Sequence, residues 1–362
     1  MKEDNRPLLF SPGPTEISED SLRILGQHPI HHRTDQFEAV LKQTFELLKY
    51  FFQTKNHVFI LNATGTGAME ASLINILNPG DKVLAFDAGK FGERWAEMAK
   101  VFGADVDVIK HPWGKTFDFK VFEKHLLEKK YDSFLVHACE TSTATKYPIA
   151  EISKMLKSIQ PDCLLVVDGI TAVGCIDIPM DELKIDALIA GSQKSLGLMT
   201  GLSFVSFSDS AWKKALECRT PRYYFDLVLE KKMNLKNATH FSSPVNMINA
   251  LHYKLNEIKK ISIKDFISYS RDLQKTTRSF LESQGCCYFS ESPSDSLSAF
   301  YLPTKINVAD FQNQLLKNGL YLAGGQDHLK DKILRWGHMG DITLKSQQKA
   351  MDIFEDAIKE FT

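Results

Sequence analysis

The sequence predicts an α/β fold: a large domain with a mostly parallel sheet flanked by helices, followed by a smaller C-terminal α+β domain. Two patterns predict it. Between residues 57 and 207, short apolar runs alternate with segments carrying apolar residues at three- and four-residue spacing, as strands joined by crossover helices must. From about residue 247 the pattern changes to long amphipathic helices with strands at less regular intervals. The expected division is an N-terminal arm over 1–20, a large domain over 21–245 and a small domain over 246–362.

After the loop Ser11-Pro12-Gly13-Pro14-Thr15 and a polar first helix, strands are expected at 57–63 (HVFILNA), 82–87 (KVLAFD), 133–139 (SFLVHAC), 163–168 (CLLVVD), 187–190 (ALIA) and 202–207 (LSFVSF). Between them, 92–102, 120–129 and 150–158 read as crossover helices. The C-terminal part reads as helices over 247–260 and 263–284, a strand at 297–302, a helix at 308–318, a strand at 333–336 and a closing helix. No low-complexity linker and no internal repeat interrupts the chain.

The 362 residues carry 44 Lys+Arg against 45 Asp+Glu, mixed throughout, so no basic face supports a nucleic-acid or anionic-membrane partner. The charged N-terminus lacks the apolar core of a secretory signal, and no apolar run approaches the roughly 18 residues that span a bilayer. A cytoplasmic protein is expected. Six cysteines (Cys139, Cys163, Cys175, Cys218, Cys286, Cys287) show no C-x-x-C or Cys/His ligand spacing, so they read as buried reduced thiols, and no metal site is expected.

Three signals fall at or just past the C-terminal ends of expected strands, where open α/β sheets place their ligands. The first is Thr64-Gly65-Thr66-Gly67-Ala68, between a strand and a helix. Its small residues let the backbone close on an oxyanion, and a helix N-terminus offers unpaired N–H groups. It is neither a Walker A loop nor a dinucleotide G-x-G-x-x-G, since Glu70 stands at the third glycine; a tight turn with a Thr cap is the plain alternative. The second is Asp168, a carboxylate closing the run Leu164-Leu165-Val166-Val167, which reads either as a partner for a buried cation or as a turn cap for Gly169-Ile170-Thr171. The third is Lys194, just past another apolar strand, where partial desolvation would leave a neutral, nucleophilic amine; a solvated loop charge is the alternative for any single lysine.

An anion cradle, a strand-end Asp and a strand-end Lys together are the protein parts of a pyridoxal phosphate site. On these motifs the sequence resembles the class V aminotransferases of pyridoxal-phosphate fold type I, nearest the alanine–glyoxylate/serine–pyruvate branch. The resemblance covers almost the whole chain. It also runs through Ser11-Pro12-Gly13-Pro14-Thr15, His32-Arg33 with Phe37, Asn78-Pro79-Gly80-Asp81, Gly89-Lys90-Phe91-Gly92-Glu93-Arg94, Glu140-Thr141-Ser142-Thr143, Ser192-Gln193-Lys194 and Arg335-Trp336-Gly337-His338-Met339-Gly340.

The resemblance implies that Lys194 forms the Schiff base, Asp168 pairs with the pyridinium nitrogen and Phe91 stacks on the ring. It implies that Thr64, Gly65, Thr66 and Gln193 bind the phosphate, and that Thr141 or Thr143 bonds near the ring hydroxyl. Gly13, Arg33 and Arg335 fall on the substrate side, with Arg335 on the α-carboxylate. A homodimer with active sites at the interface is implied, Thr239 and Ser242 completing the partner's phosphate site. The implied reaction moves an amino group from a small L-amino acid of alanine or serine type to a 2-oxo acid such as glyoxylate or pyruvate. Phosphoserine or 2-aminoethylphosphonate transamination is the alternative, since relatives of that kind also carry a His-Arg pair at His32-Arg33.

The chain departs from the family at Ala144, where many relatives have Gly, at Met199-Thr200-Gly201, where a Pro-Pro-Gly turn is common, and at Trp336, which reads as a core aromatic. A desulfurase would need a nucleophilic Cys in the loop 323–332, which has none. A catalytically silent relative would be expected to lose Lys194 or Arg335, and a nicotinamide dehydrogenase fails on the missing third glycine.

Overall fold

A computed structural model describes residues 6–303 and 306–361; the first five residues of the expected arm lie outside them. Seven strands form the central sheet: β1 (Val58–Asn62), β2 (Lys82–Asp87), β3 (Asp105–Lys110), β4 (Ser133–His137), β5 (Leu164–Asp168), β6 (Ala187–Gly191) and β7 (Leu202–Phe207). Their order is β1-β7-β6-β5-β4-β2-β3, and all but β7 run the same way. The fold is therefore the expected mostly parallel α/β sheet flanked by helices, made mixed by the reversed β7. Runs such as LLVV and ALIA are apolar on both faces because helices cover both faces, and two separate apolar cores fill those layers.

Several expectations need correction. The edge strand β3 (DVDVIK) falls in a stretch the hydropathy pattern leaves unmarked, because it alternates Asp with Val and only Ile109 is fully buried. The strand expected to run to Cys139 ends at His137; Cys139–Glu140 turns away and pairs with Thr145–Lys146 in a separate two-stranded hairpin. An 18-residue helix, Asp35–Phe52, precedes β1, N-capped by the Thr34 hydroxyl (3.3 Å from the Phe37 N–H) and burying Phe37, Leu41, Phe45, Leu48, Phe51 and Phe52. The helix Val245–Ile261, expected to open the small domain, packs Ile248, Leu251, Leu255 and Ile258 into the first core. The third core, which gathers Phe300, Phe311, Trp336 and Phe354, starts to draw on the chain at Leu273, apart from Phe10 of the arm.

The C-terminal part is an antiparallel four-stranded sheet, in the order Cys287–Tyr288, Leu297–Tyr301, Leu334–Gly337, Ala323–Gly324. The arm strand Leu8–Leu9 pairs in parallel with Leu320–Tyr321, and Phe10 packs edge-on against Trp336, which is fully buried as a core aromatic. The arm thereby draws Ser11–Pro14 across the C-terminal ends of the central strands. All six cysteines are free, but Cys287 is exposed and Cys218 half-buried, because each stands where its element meets solvent. No helix among the described residues is long and apolar enough to cross a membrane.

Candidate active site

Lys194 follows β6 in a turn braced by the Ser192 hydroxyl, which donates to the Met199 carbonyl (2.6 Å) and accepts from the Leu202 N–H (3.2 Å). Its side chain is buried, and Nζ donates to the Pro12 carbonyl at 2.6 Å. The arm sits so close that a Cβ on Gly13, whose φ is +125°, would lie 2.5 Å from Nζ. Burial lowers the Lys194 pKa to about 8; the charge of Asp168 opposes the shift and that of Arg335 reinforces it.

Asp168 ends β5 beside β6, buried, with Oδ1 accepting from the Ile170 N–H at 2.8 Å. Burial raises its pKa to about 6 against the opposing pull of that hydrogen bond. It forms no ion pair among the described residues, so the turn cap is present while a cationic partner is not.

The helix Gly65–Ile76 starts directly after β1, and the Thr64 side chain makes no capping bond, which leaves the N–H groups of Gly65 and Thr66 available. A Cβ on Gly65 would meet Ile170 Cδ1 at 2.6 Å, so glycine lets this helix end close on the Asp168 turn. Thr66 Oγ1 accepts from Arg94 Nη1 at 3.0 Å. Arg94 in turn lies 4.9 Å over the ring of Phe91 and lowers the cost of ionising Asp168. Gln193, beside Lys194, keeps its side-chain Oε1 buried without a hydrogen-bond partner.

Arg335, on the strand Leu334–Gly337, is buried; Nε donates to the Gly324 carbonyl (2.9 Å) and Nη1 to the Thr141 carbonyl (3.0 Å). Burial lowers its pKa to about 10. No carboxylate among the described residues pairs with it. Lys194, Arg335, Phe91, Thr141 and Gly13 share one cavity of about 470 Å³, closed by the arm and by Tyr321 and Gln326. Lys194 and Arg335 are the only charged residues among those described as lining it.

Not every expected residue is there: Asp168, Thr64, Gly65, Thr66 and Gln193 do not line this cavity. Thr143 is fully buried away from the cavity, bonded to Thr145 Oγ1 at 2.8 Å, whereas the Thr141 hydroxyl meets that of Thr171 at 2.6 Å. Thr239 and Ser242 line a different cleft, with Asn62, Tyr224 and Phe241. Arg33 is exposed and forms no ion pair among the described residues; its backbone N–H donates to His31 Nδ1 at 3.2 Å. Within one chain none of these three reaches Lys194. Ala144, at the family's glycine position, has φ +56° and a buried Cβ, a left-handed residue that only a small side chain tolerates. Glu140 and Gln326 carry no local sequence signal of a role, because nothing local shows that Cys139–Glu140 folds beneath the helix Lys90–Val101.

The sequence profile of the family described as aminotransferase class-V matches residues 18–336. The chain is 36% identical to the soluble hydrogenase 42 kDa subunit of Anabaena cylindrica, over 94% of this chain and 90% of that protein. It is 31% identical to the L-aspartate–glyoxylate aminotransferase of Paracoccus denitrificans, over 92% and 87% respectively. The structure superposes on that of alanine–glyoxylate aminotransferase from Nostoc sp. with a TM-score of 0.92, at 28% identity, covering 98% of this chain and 95% of the other.

Proposed function

The chain belongs to the class V aminotransferase family, a pyridoxal-phosphate-dependent aminotransferase acting on amino acids and 2-oxo acids, and on that premise we propose that its amino donor is a small neutral L-amino acid of alanine or serine type, with glyoxylate or pyruvate as acceptor. The observation that carries the reading is the pairing of Lys194 and Arg335 as the only charged groups described around one cavity. One guanidinium takes one carboxylate, and the remaining walls offer a second acid no cation.

The residues present fit pyridoxal phosphate. A buried amine with a lowered pKa, a buried carboxylate without a cation, an uncapped helix N-terminus and the orphaned Oε1 of Gln193 are partners for an aldehyde, a pyridinium, a phosphate and a polar substituent. Lys194 would hold the cofactor, Thr64, Gly65, Thr66 and Gln193 its phosphate, and Phe91 its ring face, with Asp168 at the ring nitrogen and Thr141 near the ring hydroxyl. Bound there, the cofactor supplies an electron sink for the electrons left at the substrate Cα.

Arg335 binds the α-carboxylate through its planar fork and so fixes the direction of the Cα–H bond. Lys194, neutral for part of the time near pH 8, would take that proton from Cα, hold it on Nζ and give it up again from the same side. Asp168 stays anionic beside a bound cation because the pair offsets the burial cost that either would bear alone. The arm carbonyl of Pro12 and the ring of Phe91 keep water from the amine. The functional unit is a cytoplasmic homodimer in which Thr239 and Ser242 complete the partner's phosphate site, which accounts for their distance from Lys194 within one chain.

A half-reaction screen tests the donor. Alanine and serine should bleach the visible band of the holoenzyme, whereas phosphoserine and 2-aminoethylphosphonate should not. Bleaching by the phosphorylated or phosphonate donors alone would overturn the assignment.

A further inference from the structure

Glu140 is fully buried and both of its oxygens are occupied. Oε2 accepts from the N–H groups of Phe91 (3.1 Å) and Gly92 (3.2 Å), and Oε1 accepts from the Ser142 N–H (3.0 Å) and hydroxyl (2.5 Å). The Ser142 hydroxyl in turn accepts from the Lys90 N–H at 3.3 Å. The helix Lys90–Val101 has no side-chain cap of its own: its cap residue is Gly89, where a Cβ would lie 2.5 Å from Glu140 Cδ. The carboxylate thus enters where a capping side chain would stand and meets the positive end of the helix. His137 Nε2 is 3.4 Å away, but burial pushes the imidazole pKa down, so the helix end and not a cation is the partner. One residue further on, the Thr141 carbonyl accepts from Arg335 Nη1.

We propose that Glu140 is a positioning residue for transamination: it sets the ring of Phe91 by holding that residue's N–H, and the guanidinium of Arg335 through the backbone of Thr141, both relative to Lys194. This rests on the roles given to Phe91 and Arg335 above. The chemistry requires a carboxylate. Each oxygen faces two hydrogen donors, so an amide must turn its NH₂ toward one pair and exchange two attractions for a donor–donor conflict.

The test compares wild type, Glu140→Gln and Ser142→Ala as holoenzymes, reading the dissociation constant for pyridoxal phosphate, the circular-dichroism band of the bound cofactor, KM and kcat for alanine, and Tm. Glu140→Gln should bind the cofactor about tenfold more weakly, raise the alanine KM by about tenfold and shrink the dichroic band. Ser142→Ala, which keeps the carboxylate and removes one donor, should move the same readouts in the same direction by less, and it decides the matter should Glu140→Gln fail to fold. A fall in Tm alone, with cofactor affinity, dichroism and KM unchanged, overturns the proposal and leaves the site reading standing. Failure of the wild-type chain to take up pyridoxal phosphate on Lys194 overturns both, and is seen before any variant is made.

Discussion

Burial outweighs attraction at the two central residues. The opposite charges of Asp168 and Lys194 would by themselves lower the acid's pKa and raise the amine's, yet they stand at about 6 and about 8 because desolvation is the largest cause for each. The folded Lys194 pKa lies below its unfolded value, so its penalty on folding is fully present below about pH 8 and is lost as pH rises toward 10.5. The apoprotein of Lys194→Met should therefore be more stable than wild type at pH 7, by about 2–3 kcal/mol, and the difference should shrink by pH 10 in paired thermal melts. Asp168 has the opposite window, its ionisation costing stability as pH rises from 3.8 through about 6. If Asp168 stands at the ring nitrogen as proposed, Asp168→Asn should retain pyridoxal phosphate but lower turnover by about a hundredfold or more, through loss of the anion that favours a protonated ring nitrogen. Near-normal turnover would leave the carboxylate as the cap of Ile170 alone. Arg335→Lys keeps the charge and loses the fork, so kcat/KM should fall by about ten- to a hundredfold for alanine and serine alike.

At the scale of elements, the parts that hold ligand-directed residues were legible because they obey local rules. A buried strand ending in a polar residue, as β5 does at Asp168, announces where the sheet meets its ligand. Less legible were elements whose reason lies elsewhere in the chain. The edge strand β3 alternates charge with Val and buries only Ile109 fully. The hairpin Cys139–Glu140 with Thr145–Lys146 reads as the tail of β4, and only the helix Lys90–Val101 above it explains why the chain turns at Ala138. The arm is a third case, since two residues, Leu8–Leu9, make a strand only because Leu320–Tyr321 lies beside them. Removing residues 1–10 takes away that pairing and the packing of Phe10 on Trp336, leaving Pro12 and Gly13 held over Lys194 only from the Lys194 side. Such a truncation should lower kcat/KM for alanine by about tenfold or more while the main thermal transition persists, because the two cores of the central sheet do not depend on the arm.

At the scale of the whole molecule, three parts of the chain meet at one cavity: Lys194 follows a strand of the central sheet, the arm lies over the amine, and the C-terminal sheet delivers Arg335. The mostly parallel sheet was readable from apolar runs, but the reversal of β7 was not, for its six buried residues look like those of any parallel strand. The cue lay in the link. The stretch between Gly191 and Leu202 is too short for a helical crossover, which allows only an antiparallel return. That reversal keeps β1 parallel to β5 and β6, so the helix N-terminus, the aspartate and the lysine all face the same way. The most direct test of this convergence is borohydride reduction of the holoenzyme followed by proteolysis and mapping of the modified peptide. One pyridoxyl-modified lysine, Lys194, is the result this account predicts; a label on any other lysine, or none, would contradict it.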